Sequence, residues 1–380
     1  MATHITNTRM GSLKRICCLV EKWESGGIES FLYNILTHIN MARLEVDIVA
    51  EELCSSIFTP KLEERGVSFF ELSGDLRRVK DNWACFRSLA KDRHYDVLHL
   101  NAYQGLSLTY LHIAKQEKIQ VRIAHSHNTA LRKSLTKPLK LMVHTISKRR
   151  YTKSATNLWA CSRVAATFLF SINILASMGY RFIPNGIDTE RFRYDPMVRN
   201  KIREELGLDS SFVVGHVGRL CQQKNQAFLL EVFSEVLKLF DDSRLILVGE
   251  GEDRSFLEQK AHQLGITGKV IFYGASDHVE HLLWAMDVFV FPSRFEGLGI
   301  AAVEAQATGL PVLCSEGIPS EAMITNLAVP LPLSAGAEAW AEAALIRRAP
   351  EDRTAAADGV FAAGFDVAAV AKDIRDMWMR

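Results

Sequence analysis

Several features that define particular protein classes are missing from this sequence of 380 residues. Its seven cysteines are scattered without a C-x-x-C pair, which argues against a disulfide framework or a zinc site and indicates a reducing compartment. The N-terminal segment has no apolar signal core. The longest apolar region, residues 164–180, is too short and too often interrupted by polar residues to predict a membrane span. We therefore expect a cytoplasmic location.

Acidic residues are absent from residues 118–187, although the whole chain has a net charge of only +1. Near neutrality argues against general affinity for nucleic acid, but this basic stretch leads us to expect a local anionic partner. Leu135, Leu139, Met142 and Ile146 follow helical spacing within it. An apolar stripe beside a basic face is typical of a membrane-surface helix and also of a helix packed on its own sheet, and both interpretations stay open here. The basic residues include Arg132, Lys133, Lys137, Lys140, Lys148, Arg149, Arg150 and Lys153.

Short apolar runs alternate with helical stretches along most of the chain, and the length exceeds that of a comfortable single core. This alternation predicts an α/β fold with doubly wound parallel sheets. We expect domains at residues 1–184 and 185–363, followed by a C-terminal helix at 364–380. In such sheets, ligands bind at the carboxyl ends of the strands.

One stretch of the second half reads as strand, loop, helix, turn and strand, from residue 284 to 314. Gly297 and Gly299 lie in its loop and let the backbone approach a ligand closely. The helix at residues 300–308 therefore opens on a glycine loop, which predicts an anion site at its positive end. Glu296 and Glu304 flank that site. Such a pair can bind one ligand at two points, but by themselves these two acids are better explained as a solvated loop residue and an exposed helix residue.

Charged residues also surround the turn after the run at residues 212–217. Arg219 and Lys224 follow this strand closely and can together clamp a diphosphate, although any surface loop can hold two cations. Further on, the sequence G-E-G-E-D after residue 248 lacks the third glycine of a dinucleotide fingerprint, and its acids would repel a pyrophosphate.

In the first half, a predicted strand leads through Gly26 and Gly27 into a helix that contains Glu29. These glycines can hold a phosphate or can simply form the turn. Another predicted strand ends in His125, Ser126, His127 and Asn128. The two histidines share one side of an extended strand, so a catalytic group, structural hydrogen bonding and, with least support, a metal pair remain as interpretations.

Together, these motifs resemble the signature of the retaining glycosyltransferases of family 4, which have the GT-B fold of two Rossmann-like domains. The resemblance rests on F-P-S-x-x-E-x7-E with E-A-Q-A-T-G-L-P-V, on G-R-L-x3-K-N, on G-G-x-E near the N-terminus and on I-P-N-G-I-D at the domain crossing. It covers most of residues 14–321, with bacterial capsular and exopolysaccharide glycosyltransferases as the most similar group. Leu298 departs from the phenylalanine that many members have there.

The resemblance implies a role for each matching residue. Glu304 would bind the ribose of a sugar nucleotide, Glu296 would contact the transferred sugar, and Arg219 and Lys224 would bind the diphosphate. His127 would lie near the transferred sugar, with His125 as the alternative. The remaining implied contacts are to the donor, through Gly218, Tyr273, Gly274, Gly297, Leu298 and Gly299, and to the acceptor side of the cleft, through Gly26, Gly27, Glu29, His125 and Asn128.

The implied activity is transfer of a sugar from a nucleotide donor, expected to be a UDP-sugar, to a hydroxyl acceptor, expected to be a lipid-linked glycan. No D-x-D motif stands in a suitable loop, so we expect no metal and no cofactor, with the cations and helix amides stabilising the leaving group. Peripheral association with the inner membrane face is a further expectation. A sugar-nucleotide epimerase of the same fold and a non-catalytic sugar-nucleotide-binding scaffold remain as alternatives.

Overall fold

The computed structural model describes residues 13–24, 26–131, 137–208 and 210–380, excluding the side chain of Lys137. The chain forms two compact units. The first unit comprises Met1–Ala160, Ala166–Ile183 and Ala371–Arg380, and the second comprises Cys161–Ala165 and Pro184–Val370. The predicted residues Arg132, Lys133 and Leu135 lie outside the described residues.

The first unit is built on a seven-stranded sheet in which every neighbouring pair is parallel, in the order β3-β2-β1-β4-β5-β6-β7. The middle of β1, from Ile16 to Val20, is apolar and buried, because helices cover both faces of such a sheet. The strands are β1 (Lys14–Trp23), β2 (Leu44–Leu53), β3 (Ser68–Glu71), β4 (Val97–Ala102), β5 (Val121–Ser126), β6 (Asn157–Ala160) and β7 (Arg181–Phe182).

The second unit repeats this plan with a six-stranded parallel sheet in the order β10-β9-β8-β11-β12-β13. Phe233, Leu245 and Trp340 belong to a cluster of buried apolar residues in its core. The strands are β8 (Phe212–Val217), β9 (Ser243–Val248), β10 (Val270–Gly274), β11 (Val288–Phe291), β12 (Val312–Cys314) and β13 (Ala328–Pro330).

Fifteen α-helices are found within the described residues, and most connect consecutive strands. They are α1 (Gly27–His38), α2 (Thr59–Glu64), α3 (Val79–Arg93), α4 (Thr109–Gln116), α5 (Lys137–Tyr151), α6 (Arg163–Leu169), α7 (Ile172–Met178), α8 (Pro196–Glu205), α9 (Gln226–Leu239), α10 (Arg254–Gln263), α11 (Val279–Ala285), α12 (Ile300–Ala307), α13 (Gly336–Ile346), α14 (Ala356–Val360) and α15 (Val367–Trp378). None of these helices is long and apolar enough to cross a membrane.

The structure confirms the predicted fold class, with two Rossmann-like parallel-sheet units. Helix α8 begins at Pro196, because the Asp195 side chain caps its first turn through the amides of Met197 and Val198 and Pro196 occupies its first position. The alanine-rich stretch at 335–363 is interrupted after Ile346, where the chain leaves the helical conformation before α14.

The last helix joins the two units in sequence, since Val367–Val370 belong to the second unit and the residues from Ala371 onward to the first. Within the first unit, Trp378 is fully buried and packs edge-on against the ring of His99 at a centroid distance of 5.7 Å. Arg375 donates to the carbonyl oxygens of Asn40 and Ala42 at 2.7 and 3.0 Å. The first unit is therefore completed by a segment distant in sequence.

Candidate active site

Three adjacent strands of the second unit end at glycines with positive φ angles. Gly218, Gly249 and Gly274 follow or end β8, β9 and β10 and have φ values of 157°, 129° and 88°. The Gly249 amide donates to the Gly274 carbonyl at 2.7 Å, and a Cβ at Gly249 would overlap with the carbonyl oxygen of Gly218. Only glycine fits this close packing, so the strand ends present backbone and little side chain.

Lys224 and Glu296 form an ion pair between the loops that follow β8 and β11. The Lys224 ammonium donates to Glu296 Oε1 at 2.7 Å, and the two side chains are 18% and 8% exposed. The lysine stem passes close to Gly218, and its Nζ lies 4.9 Å from the centroid of the Phe291 ring. Glu296 is therefore not a solvated loop acid: it is a buried carboxylate held beside a cation.

The N-terminus of α12 lies next to this ion pair. Gly299 caps the helix with a φ of 92°, and the position of its absent Cβ is 3.1 Å from the Phe291 ring and 3.6 Å from the Glu296 side chain. Gln306 anchors the other end of the helix, because its amide nitrogen donates to the carbonyl oxygens of Ala302 and Ala322. The predicted anion site at the start of α12 thus adjoins both a cation and an acid.

Glu304 projects from the second turn of α12 and is only partly exposed. Burial raises the pKa of its carboxyl to about 7, against the smaller lowering effects of the charges on Arg191 and Lys224. A carboxyl group poised near neutrality can accept hydrogen bonds from sugar hydroxyls and can exchange a proton easily. Its location is compatible with the predicted contact to a ribose.

The other predicted donor residues occupy the same edge of the sheet with different degrees of exposure. Arg219 is exposed and donates to Glu252 at 3.0 Å. Tyr273 is 42% exposed at the end of β10, whereas the Leu298 side chain is buried, so any ligand contact at Leu298 would use the backbone. The Gly297 carbonyl accepts a hydrogen bond of 2.6 Å from the Ser162 hydroxyl.

His216 is a buried histidine of β8 that the sequence analysis did not select, and its hydrogen bonds support these loops. His216 Nδ1 lies 2.9 Å from the Val290 carbonyl oxygen, and its Nε2 lies 3.2 Å from the amide nitrogen of Gln226. That amide nitrogen also donates to the carbonyl of Arg219 at 2.9 Å. Burial lowers the pKa of His216 to about 4, so the imidazole is neutral and links β11 to the loop that carries Arg219.

In the first unit, the Glu29 carboxyl group lies at the start of α1, next to Gly26. Glu29 is fully buried, and its Oε1 accepts a hydrogen bond of 2.7 Å from the Tyr103 hydroxyl. A Cβ at Gly26 would lie 2.5 Å from Glu29 Oε2, which explains the glycine at this position. Gly27 is exposed, and nothing described lies within 4 Å of where its Cβ would be. Burial raises the pKa of Glu29 to about 7.

Three histidines form a buried imidazole cluster at the ends of β4 and β5, comprising His99, His125 and His127. His99 Nε2 lies 3.1 Å from His125 Nδ1, and the rings of His125 and His127 are 3.9 Å apart. His127 Nε2 lies 3.0 Å from Asn101 Oδ1. Burial lowers the pKa of His99 and of His127 to about 3, and it also lowers the pKa of His125 well below its usual value.

The histidines predicted to share one side of β5 do so, and both are neutral at physiological pH. His127 can therefore act in this unit as a hydrogen-bonding group and not as a permanent cation. Asn128 is partly exposed and donates to the Tyr103 carbonyl at 3.3 Å. His99 and Asn101 hold the cluster in place through the contacts given above.

One group of three potential metal ligands is found within the described parts of the chain. It consists of His278, Glu280 and His281 around the start of α11. Arg191 lies 2.8 Å from Glu280 and, although burial alone would raise the pKa of that carboxyl, the arginine holds it below its usual range. A carboxylate already neutralised by a guanidinium is a poor metal ligand, so this group fits a metal badly.

Comparison with known proteins identifies the family to which the chain is similar. The family model described as "Glycosyltransferase Family 4" matches residues 25–191, and the one described as "Glycosyl transferases group 1" matches residues 198–342. The chain is 26% identical over 349 residues to EpsF of Bacillus subtilis, a protein named as a glycosyltransferase, with 89% of each chain covered. It is 26% identical over 294 residues to an Escherichia coli UDP-Gal:alpha-D-GlcNAc-diphosphoundecaprenol alpha-1,3-galactosyltransferase, with 75% of this chain and 74% of that protein covered.

Solved structures agree on the fold. The crystal structure of HepE from Anabaena in complex with UDP-glucose matches with a TM-score of 0.75 and 22% identity, covering 96% of this chain and 98% of HepE. The two family models follow one another along the chain and together account for most of it, with one match in each half. The chain therefore belongs to the family 4 glycosyltransferases, is a glycosyltransferase, and has their GT-B fold.

Proposed function

We propose that this enzyme transfers a sugar, with retention of the anomeric configuration, from a uridine diphosphate sugar to a hydroxyl group of a lipid-linked glycan. The observation that carries the proposal is the convergence of Lys224, Glu296 and the Gly299-capped start of α12 at one edge of the second sheet. The names of two similar proteins support the choice of nucleotide and acceptor: HepE was crystallised with UDP-glucose, and the Escherichia coli relative is named for UDP-Gal and a diphosphoundecaprenol-linked acceptor.

The leaving group in this proposal is a nucleoside diphosphate, on which negative charge develops as the glycosidic bond breaks. Lys224 and Arg219 supply positive charge, and the first amides of α12 supply oriented dipoles. Such preorganised donors stabilise developing charge without reorganisation, so no metal ion is required in this proposal. Glu296 binds the transferred sugar and keeps Lys224 oriented, while Glu304 accepts hydrogen bonds from the ribose.

The second sheet also explains why we propose no carboxylate nucleophile. Glu296 is already neutralised by Lys224 at 2.7 Å, which reduces its nucleophilicity. We propose instead that the acceptor hydroxyl attacks on the face from which the diphosphate departs, and that a phosphate oxygen takes the hydroxyl proton. His127 contributes as a neutral hydrogen-bonding group near the transferred sugar in this scheme.

For the lipid-linked acceptor, we propose that the outer face of α5 contacts an anionic membrane surface. Leu139, Met142 and Ile146 are more than half exposed, so the apolar stripe predicted for this helix faces outward. Exposed Arg149 and Arg150 lie on the same helix. Apolar side chains beside a basic face are the composition of helices that lie in a membrane interface.

The test is to incubate the protein with UDP-glucose, UDP-galactose and UDP-N-acetylglucosamine, each with and without a GlcNAc-diphosphate-lipid acceptor. We expect UDP release that depends on the acceptor, and an α-linked product detected by mass spectrometry and NMR. Activity should persist in excess EDTA. Loss in EDTA with recovery on adding magnesium or manganese would contradict the metal-free scheme, and a β-linked product would contradict retention. Formation of an epimerised nucleotide sugar without acceptor would favour an epimerase.

A further inference from the structure

The loop between β11 and α12 is anchored residue by residue up to the peptide group that precedes Leu298. Groups of neighbouring loops hold residues 293–296, and the Ser162 hydroxyl donates to the Gly297 carbonyl at 2.6 Å. Ser162 therefore provides the last anchor of the loop. The other anchors join the Ser315 hydroxyl to the Ser293 carbonyl, the Arg294 amide to the Gln223 carbonyl, the Gln223 side-chain amide to the Phe295 carbonyl and the Glu296 amide to the Gly317 carbonyl.

Ser162 is itself held firmly by its surroundings. Its side chain is fully buried, and the Ala165 amide, in the first turn of α6, donates to its Oγ at 3.1 Å. The neighbouring Arg163 amide donates to Glu321 Oε1 at 2.6 Å. All of these residues belong to the second unit. Because a carbonyl oxygen can only accept, the single proton of the Ser162 hydroxyl points at Gly297.

Holding the Gly297 carbonyl also sets the direction of the next amide. The Gly297 carbonyl and the Leu298 amide belong to one planar trans peptide group and point in opposite directions. Within the parts of the chain that the structure describes, the amides of Gly297, Leu298 and Gly299 donate to no protein acceptor. Leu298 is nevertheless only 2% exposed. A buried amide without a protein partner is available to a ligand, and Ser162 fixes where it points.

The position of this peptide links it to the sugar end of the donor. It directly follows Glu296, and Gly299, where α12 begins, lies close to the Glu296 side chain. The groups proposed to bind the nucleotide portion, Arg219 and Glu304, make no contact with Ser162 in the described hydrogen bonds and ion pairs. The peptide and the nucleotide groups are therefore separable in their effects on binding.

We infer that Ser162 is a positioning residue of the transfer reaction, which aims the Leu298 amide at the hydroxyl groups of the transferred sugar. The inference rests on the proposed function, in which Glu296 binds that sugar. Ser162 acts only through the Gly297–Leu298 peptide group and touches no substrate. Its loss should weaken recognition of the sugar and leave recognition of UDP intact.

The experiment measures by calorimetry how the full chain binds UDP, UDP-glucose, UDP-galactose and UDP-N-acetylglucosamine, without acceptor. In Ser162→Ala, UDP should bind within about two-fold of the parent, since its charges and ribose meet other residues. The UDP-sugar that the parent binds most tightly should bind about ten-fold more weakly, as for the loss of one well-placed hydrogen bond. With acceptor present, kcat/KM for that UDP-sugar should fall about ten-fold or more, because the sugar is misplaced.

Three further variants separate positioning from structural roles. Ser162→Cys nearly keeps the side-chain volume but donates weakly, so it should behave like Ser162→Ala, and it serves as the second variant if the alanine form does not fold. Ser243→Ala removes another buried serine of the second unit, whose hydroxyl donates to the Phe240 carbonyl at 2.7 Å. Asp195→Ala removes a helix cap, as Ser162→Ala does at α6. Both of these controls should bind all four probes like the parent.

Several outcomes would overturn the positioning role. They are equal weakening of UDP and UDP-sugar binding in folded Ser162→Ala, parental binding and kcat/KM in that variant, parental behaviour of Ser162→Cys, or a sugar-specific loss in either control. Circular dichroism and thermal unfolding establish which variants fold.

Failure of this inference can be distinguished from failure of the proposed function. Sugar transfer by the parent, together with parental binding and kcat/KM in folded Ser162→Ala, would refute the positioning role alone. UDP-sugar binding that depends on Ser162, in a parent that transfers no sugar to any acceptor, would refute the proposed function alone. Binding of no UDP-sugar by the parent would refute both.

Discussion

The two units share a parallel-sheet architecture but present different chemistry at their strand ends. In the second unit, β8, β9 and β10 end at Gly218, Gly249 and Gly274, so backbone atoms form much of the surface there. In the first unit, the carboxyl-terminal halves of the strands carry bulky titratable side chains, among them Glu51 in β2 and His125 in β5. One sheet thus offers amides and a few cations, and the other offers carboxyl and imidazole groups.

This difference matches the needs of two kinds of ligand. Backbone amides, helix dipoles and cations suit a diphosphate, whose charge is the same in every nucleotide sugar. Side-chain carboxyl groups and aromatic rings suit a neutral sugar, whose identity depends on the pattern of its hydroxyl groups. The same fold with different residues at the strand ends therefore presents two different sets of charged and hydrogen-bonding groups.

Removing the buried cation from the second unit should have the largest effect. Lys224→Ala is expected to lower turnover by about a hundred-fold or more, as for loss of one preorganised charge-stabilising group. The variant also leaves Glu296 without its 2.7 Å partner. Steady-state UDP release measures the effect, with circular dichroism to check folding. Lys238→Ala, which removes an exposed lysine on α9, is the control, and near-normal activity of folded Lys224→Ala would refute the assignment.

Membrane binding should depend on the outer surface of the first unit. Replacing Arg149, Arg150 and Lys153 with Gln should release the protein from anionic vesicles, since each charge near such a surface contributes about 1 kcal/mol. Lys148 is retained, because its ammonium donates to the carbonyl oxygens of Thr167 and Phe168 at 3.0 and 2.9 Å and supports the fold.

Vesicle co-sedimentation at increasing salt measures this binding, which should weaken as salt screens the charges. The control variant replaces three exposed lysines elsewhere in the first unit, Lys61, Lys80 and Lys91. Equal sedimentation of the two triple variants, or none of the parent at low salt, would show that the face of α5 is simply solvated.

Adding a methyl group to a strand-end glycine of the second unit should cost more stability than adding one to a glycine in an ordinary turn. Gly249→Ala places a Cβ against the Gly218 carbonyl at a φ of 129°, and we expect a loss of about 3 kcal/mol of unfolding free energy. Gly66→Ala has a φ of 81° but no described atom within 4 Å of the new Cβ, and should cost only about 1 kcal/mol. Calorimetry compares the two variants, and equal losses would show that backbone strain alone matters.

The stability of the first unit should depend on pH, because several of its buried groups have shifted pKa values. His99, His125 and His127 have lowered pKa values, so their contribution is present above pH 6.5 and is lost as pH falls towards 3. Glu29 and Glu51 have pKa values raised to about 7, so they stabilise the unit increasingly as pH falls from 7 to 4.5. Above pH 4.5 the two effects largely offset each other, and below it the histidines dominate.

The second unit responds differently to acid, because it combines His216, whose pKa is lowered to about 4, with carboxyl groups such as Glu280, whose pKa is lowered by Arg191 despite burial. We therefore expect the first unit to lose stability between pH 4.5 and 3 by about 1.4 kcal/mol per pH unit for each additional proton taken up on unfolding. Hydrogen exchange of peptides from the first unit measures this loss. Unchanged stability of the first unit over this range would contradict the buried, neutral state of the imidazole cluster.

Sequence patterns predicted the fold class because β-α alternation is local and repeats along the chain. They also selected Lys224 and Glu296, since each lies in a short motif next to a strand. They did not predict that these two residues pair, because the contact joins loops 72 positions apart.

The sequence also could not predict which side of α5 is exposed. Helical spacing shows that Leu139, Met142 and Ile146 share a side, but it cannot decide whether that side meets the sheet or solvent. The structure shows that it is exposed, because other residues of the helix, such as His144 and Ser147, supply its buried contacts. Packing partners, which lie elsewhere in the chain, determine such choices.

The return of the C-terminal segment to the first unit has a consequence for synthesis. A ribosome that has made the seven strands of this unit, the last of which ends at Phe182, must still add the 196 residues from 183 to 378 before Trp378 can cover the ring of His99. At ordinary elongation rates this interval lasts roughly 10–40 s. During that time the first unit exists without its last helix, and a nascent chain is expected to expose an apolar surface that a chaperone can bind.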